Sequence, residues 1–82
     1  MTKKDIISEY YDEELLFADG FDEAIIGIAH NSFRVVYSID KCVSILKHEG
    51  LSDIDALEHF YYNVAGAWVG EKTPIWVNDL KQ

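Results

Sequence analysis

The chain has 82 residues, of which 49% are hydrophobic, and carries a formal net charge of −8 at pH 7. A hydrophobic fraction near one half excludes a wholly disordered chain, because the apolar surface is large enough to offset the entropy lost on ordering. The length predicts a single domain. We divide it into an acidic N-terminal segment (1–18), a core (19–77) and a tail (78–82).

The negative charge is concentrated near the N-terminus. Eight acidic residues against Lys3 and Lys4 give residues 1–23 a charge of −6, whereas seven acidic and five basic residues give residues 24–82 a charge of −2. An acidic surface repels the phosphates of nucleic acid, so we expect no direct nucleic-acid binding and a protein partner with a basic surface. The predicted partner-binding residues are Asp12, Glu13, Glu14, Asp19, Asp22 and Glu23.

Cysteine usage and hydropathy predict the compartment. The single cysteine, Cys42, cannot form an internal disulfide, and no charged-then-apolar leader precedes the body of the chain. No apolar run approaches the roughly 20 residues of a membrane-spanning helix. We therefore expect a cytoplasmic protein with no membrane partner.

The N-terminal segment has two competing interpretations. Thr2 is positioned to cap a short helix, and apolar residues from Ile6 to Leu15 recur at helical spacings. Extended structure from Tyr10 to Ala18 is the alternative, and in either case Leu15–Phe17 is expected to be strand-like. Asp19-Gly20 then predicts a turn.

A β-hairpin is predicted over residues 24–39. Its first strand is the apolar run from Ala24 to Ala29, and a polar turn follows at residues 30–32. In the second strand one face is formed by alternating side chains, which are Phe33, Val35, Tyr37 and Ile39.

Two consecutive helices are predicted next, at residues 40–49 and 52–68. Asp40 is the expected N-cap of the first, and Gly50 is expected to end it in a left-handed conformation. Ser52 is the expected cap of the second, with Gly70 as its stop. The clearest periodicity in the chain predicts the buried stripe of this second helix, which is Ile54, Leu57, Tyr61, Val64 and Trp68.

Pro74 precedes a short apolar segment, residues 75–77. Because proline cannot donate to a sheet, this segment is expected to be an edge strand or a strand that has the proline at its first position. The predicted fold is therefore α+β, with a hairpin, two consecutive helices and a final strand in a small antiparallel-type sheet whose helices lie on one face. An exposed edge strand would also permit a homodimer.

No motif in the sequence predicts catalysis, a metal or a cofactor. Gly66 to Thr73 resembles a phosphate-binding loop, but position 71 is Glu where the second glycine is required, and the stretch follows a helix. The acidic residues around Asp19 lack the EF-hand pattern. The His residues and Cys42 are not spaced as zinc ligands, and Asp55–His59 is best explained as a pair on a helix surface.

The aromatic residues exceed what one helix face can bury. Tyr61 and Trp68 fit the apolar stripe and are expected in the core, whereas Phe60, Tyr62 and Trp76 are candidates for exposure, with burial against the N-terminal segment as the alternative. The candidate ligand or interface residues are Tyr62, Trp68, Glu71, Lys72 and Trp76.

Two stretches carry a family resemblance, Asp19-Gly20-Phe21-Asp22-Glu23-Ala24-Ile25-Ile26-Gly27 and Gly66-Ala67-Trp68-Val69-Gly70-Glu71-Lys72-Thr73-Pro74. Together with residues 37–46, they resemble a family of small, largely uncharacterised proteins of bacteriophages and bacterial mobile elements. The resemblance implies no established chemistry. It implies a phage-infected bacterial cytoplasm, in which we expect a non-enzymatic accessory protein that inhibits a host protein, such as nucleic-acid-binding defence machinery. A nucleotide or small-molecule module and a structural homo-oligomer are the alternatives.

Overall fold

The computed structural model describes residues 5, 7, 15–30, 32–67 and 70–79. In chain order its elements are a 3₁₀ helix (Asp22–Ala24), β1 (Ile25–Ile28), β2 (Val35–Ser38), α1 (Ile39–His48), α2 (Asp53–His59), a π-helix (Phe60–Ala65) and β3 (Ile75–Val77). The α+β class is confirmed. None of the helices in this described part of the chain is long and apolar enough to cross a membrane.

The sheet has three strands in the order β1-β2-β3. β1 and β2 pair antiparallel as the predicted hairpin, whereas β3 pairs parallel to β2. The sheet is therefore mixed, where an antiparallel sheet was expected. The intervening helices carry the chain back to the starting end of β2, and such a crossover is what a parallel pair requires.

The hairpin is shorter and less regular than predicted. A β-bulge between Ile25 and Gly27 leaves Ile26 without a partner on β2. Val35 and Tyr37 are buried on one face, as expected. The other two residues of the predicted alternation lie outside the strand, because Phe33 has a positive φ of 52° in the loop and Ile39 begins α1.

The segment before the hairpin is turned rather than extended. Gly20 has a φ of 88°, which confirms the predicted turn after Asp19. Leu15–Phe17 was predicted to be strand-like, which is wrong: these residues have no regular secondary structure, although Leu15 and Phe17 pack against the core. Asp5 and Ile7 are helical, and Ile7 is buried.

The N-cap of α1 lies two residues before the expected one. Its N-cap is Ser38, whose Oγ accepts from the N–H of Lys41 at 3.2 Å. The prediction of Asp40 as the cap is therefore wrong, because Ser38 already has the extended backbone of a cap and Asp40 lies in the first turn. The C-terminal prediction is confirmed, since Gly50 has a φ of 109° and the N–H of Leu51 donates to the carbonyl of Leu46.

The second helix begins as predicted and ends early. Ser52 Oγ accepts from the N–H of Asp55 at 3.2 Å, which confirms the cap. The predicted helix to residue 68 is interrupted, because the backbone is π-helical over Phe60–Ala65 and Gly66 is the C-cap. The predicted stop at Gly70 is therefore wrong, although Gly70 does have a positive φ of 112° in the following turn.

The core lies between the helices and one face of the sheet. Tyr37 on β2 is paired in register with Trp76 on β3, and their ring centroids are 5.0 Å apart. Phe60 contacts the other side of Trp76 edge-to-face, with centroids 5.3 Å apart. This aromatic row joins the π-helix to the sheet and places the helices on the face that carries Tyr37.

Candidate functional site

Three residues of the stripe that was predicted to be buried on α2 are exposed, whereas Val64 is partly buried against the core and Trp68 lies outside the described residues. Ile54 is 69% exposed, Leu57 43% and Tyr61 50%, and the neighbouring Tyr62 is 82% exposed. We refer to these four side chains as the α2 outer face. Large apolar side chains that are contiguous on one helix face are a feature of binding surfaces on small domains.

A second apolar series on the same helix occupies the core instead. Ala56 and Phe60 are fully buried, and Val64 is partly buried against them. Because these residues also recur every four positions, they form a helix face of their own, rotated about the helix axis from the α2 outer face. The prediction that Tyr61 is a core residue is therefore wrong. Phe60, a candidate for exposure, is completely buried.

The sequence contained a signal for this arrangement. α2 and the π-helix have two apolar series at helical spacing, and only one of them can face a core of this size. The series with Ala56 is the one that allows close approach of α1, because alanine adds little volume at the helix contact. Ile54 and Leu57 are therefore functional candidates that the sequence interpretation missed.

Acidic residues surround the apolar side chains of α2. Asp55 and Glu58 are exposed on the helix, and the sequence from Asp53 to Ala65 contains no Lys or Arg. Lys47 of α1 reaches Asp53, with Nζ 2.6 Å from Oδ1. The α2 outer face is therefore apolar, with acidic side chains next to its apolar ones.

The predicted partner-binding acids lie elsewhere in the fold. Asp19 is exposed in the turn, Asp22 is half-buried and Glu23 is exposed in the 3₁₀ helix. Leu16 and Ile26, which are both partly exposed, lie close in sequence to this group. Asp12, Glu13 and Glu14 lie outside the described residues, as does Trp68.

Lys72 contributes to a structural contact between two loops. Its Nζ donates to the carbonyl of Ser32 at 3.0 Å and lies 5.4 Å from the centroid of the Phe33 ring. Arg34 makes a second link between the same two chain segments, because its Nε donates to the carbonyl of Thr73 at 2.5 Å. Glu71, in the same turn as Lys72, is exposed.

An open cleft of about 430 Å³ lies where the π-helix ends. Its walls include Ala65, Gly66, Arg34 and Trp76. Among the described side chains, Trp76 has a buried indole N–H with no acceptor. π-Helices are rare and are frequently found at functional sites, and this one leads directly into the cleft.

The Cys42 thiol and the His59 imidazole are further reactive groups of the described residues. Burial raises the pKa of the Cys42 thiol to about 12, so the thiolate is scarce at neutral pH. Within residues 5, 7, 15–30, 32–67 and 70–79, no group of three His, Cys, Asp or Glu side chains could hold a metal ion. His59 faces solvent, with Nδ1 3.4 Å from Nδ2 of Asn63.

Comparison with known proteins gives no match to any family model, curated protein or solved structure. The candidate site is therefore defined by its own geometry. That geometry is an exposed apolar helix face with acidic neighbours, carried on a small α+β scaffold.

Proposed function

We propose that the chain is a non-enzymatic, protein-binding accessory protein of a phage, acting in the host cytoplasm, which inhibits a host protein by occupying its surface. The observation that carries the proposal is the exposure of Ile54, Leu57 and Tyr61. These residues belong to the clearest apolar stripe in the sequence, and a partner would remove them from water.

The acidic residues support a partner with a basic surface. Asp19, Asp22 and Glu23 add to the negative field of a chain that carries a net charge of −8. Complementary charge raises association rates, and salt screens this effect. A groove that binds nucleic acid has the basic character required, which is why nucleic-acid-binding defence machinery is the proposed target.

Affinity capture from a bacterial lysate tests this function when matched variants are compared. The first variant, Ile54→Ser/Leu57→Ser/Tyr61→Ser, removes the apolar contacts. The matched control, Leu16→Ser/Ile26→Ser, changes two other exposed apolar residues. Far-ultraviolet circular dichroism and urea unfolding establish that each variant is folded before capture.

We expect the wild type and the control to retain the same partner and the triple variant to lose it. The captured protein should then bind nucleic acid less tightly when the wild-type chain is added. Equal capture by all three proteins would contradict the proposal. Charge reversal at Asp12, Glu13, Glu14, Asp19, Asp22 and Glu23 provides a further arm, which should abolish capture while the fold persists.

The cleft beside Trp76 supports a second candidate function, the binding of a nucleotide or another small anionic ligand. Its cationic side chain, Arg34, is held by Thr73, and Trp76 offers an aromatic surface. Titration with nucleotides and with benzoate, followed by tryptophan fluorescence, tests this candidate. Saturable quenching that Arg34→Gln abolishes would support it, and a flat response to every compound would rule it out.

A further inference from the structure

Glu58 lies inside the α2 outer face, among its apolar side chains. It follows Ile54 by four residues and precedes Tyr61 and Tyr62 by three and four. Residues at these spacings are neighbours on a helix surface. Glu58 is exposed in the isolated chain, so its carboxylate is hydrated there.

Any molecule that covers this face must also cover Glu58. Burial of an unpaired carboxylate is strongly unfavourable, because the charge loses its hydration without compensation. A partner with a purely apolar surface would therefore bind poorly. The partner must present a cation at the position opposite Glu58.

A second copy of this chain does not meet that requirement. Two-fold pairing through the α2 outer face would bring Glu58 and Asp55 of the two copies together. Residues 53–65 contain no Lys or Arg to compensate. Lys47, on the neighbouring helix α1, already forms an ion pair with Asp53.

The spacing of the apolar residues indicates the shape of the partner. Ile54, Leu57 and Tyr61 form a ridge at intervals of three and four residues, about 10 Å long at the α-helical rise. Such ridges pack into the grooves between the side chains of another helix. A partner helix can hold a Lys or Arg between its own apolar residues, at the same three- and four-residue spacing that places Glu58 between Ile54 and Tyr61.

We propose that the α2 outer face binds a basic amphipathic helix, and that Glu58 pairs with a Lys or Arg located within the apolar face of that helix. This inference rests on the proposed protein-binding function and specifies its partner. Ile54, Leu57 and Tyr61 provide the apolar contact. Glu58 favours partners that present a positive charge opposite it.

Synthetic peptides of about five helical turns provide the probe. The first has Leu at helical spacing with a Lys in the centre of the Leu face. The second has the same composition in scrambled order, so its net charge is unchanged. The third has Glu in place of every Lys. Binding of each labelled peptide to the full chain is measured by fluorescence anisotropy at physiological ionic strength.

We expect the amphipathic basic peptide to bind at least about tenfold more tightly than either of the others. Glu58→Gln should weaken that binding about tenfold, because it removes a charge-assisted hydrogen bond. Glu49→Gln is the matched control: it removes the same charge from another exposed position, just after α1, and should change binding by less than about twofold.

Four outcomes would overturn the inference. If the scrambled peptide binds as tightly as the amphipathic basic peptide, the attraction is due to net charge alone. The same conclusion follows if Glu58→Gln and Glu49→Gln weaken binding of the basic peptide equally. Light scattering that detects a dimer, dissociated by Ile54→Ser/Tyr61→Ser, would assign the face to a second copy. If capture of a lysate protein requires the α2 outer face but the chain binds all three peptides equally, the basic helix is rejected as the partner. The proposed protein-binding function is then still supported.

Discussion

Phe60 contacts Trp76 edge-to-face, with ring centroids 5.3 Å apart and an interplanar angle of 87°. This contact fixes the rotation of α2 and the π-helix about their axis, because a fully buried Phe60 directs the adjacent Tyr61 toward solvent. The exposed position of Ile54 and Leu57 follows from the same rotation. The binding surface is therefore a consequence of the core.

The first prediction compares how much stability is lost when Phe60 and when Tyr61 is replaced by alanine. Phe60→Ala should lower the free energy of unfolding by about 3–5 kcal/mol, because it leaves a cavity beside Trp76. Tyr61→Ala, at a half-exposed position where the ring contacts Phe60 edge-to-face at 5.2 Å, should cost less, about 0.5–1.5 kcal/mol. Urea denaturation measures both. Similar losses in the two variants would contradict the observed rotation of the helix.

The identity of the α1 cap gives a second prediction. Ser38 Oγ accepts from Lys41 and donates to Oδ1 of Asp79 at 2.6 Å, so Ser38→Ala should cost about 1–2 kcal/mol of stability. Asp40→Ala removes a carboxylate from the first turn and should cost less than Ser38→Ala. Thermal unfolding ranks the variants, and a larger loss in Asp40→Ala than in Ser38→Ala would assign the cap to Asp40.

Gly50 and Gly27 form a matched pair for a third prediction. Both glycines have open space where a Cβ would be added, but only Gly50 has a positive φ, of 109°. Gly50→Ala should therefore cost about 1–3 kcal/mol through backbone strain. Gly27→Ala should be close to neutral in the same chemical denaturation experiment. Equal effects would rule out the left-handed conformation at the end of α1.

Because the Cys42 thiol is buried, we expect the protein to lose stability at alkaline pH. Its pKa is raised by burial from 9.0 to about 12, so the unfolded chain releases the thiol proton before the folded chain does. This contribution is complete below pH 9 and is lost as the pH rises toward 12, with a slope of about 1.4 kcal/mol per pH unit. Burial also raises the pKa of Tyr37, which adds to the slope above pH 10.

Urea unfolding between pH 9 and pH 10 isolates the thiol, because the ordinary pKa of Tyr37 is 10.0. Cys42→Ala should flatten the decline in that interval, even though the substitution lowers stability at neutral pH. An equally steep decline without the thiol would show that other groups are responsible.

Local signals in the sequence correctly predicted the features that depend on neighbouring residues. Ser52 as a cap, Gly50 as a helix end and the turn at Gly20 each depend on one side chain or one permitted φ. The hairpin was also predictable, because the alternation of Val35 and Tyr37 reports a strand with one buried face. These features require no knowledge of distant contacts.

The sequence alone therefore determined the α+β class, the order of the elements and the positions of the main turns. Only the tertiary structure decided which apolar series of α2 faces inward and that β3 runs parallel to β2. Both depend on residues far apart in the chain, since Phe60 and Tyr37 meet across Trp76. Helical periodicity identifies an apolar face, but the packing partner determines whether that face is core or binding surface.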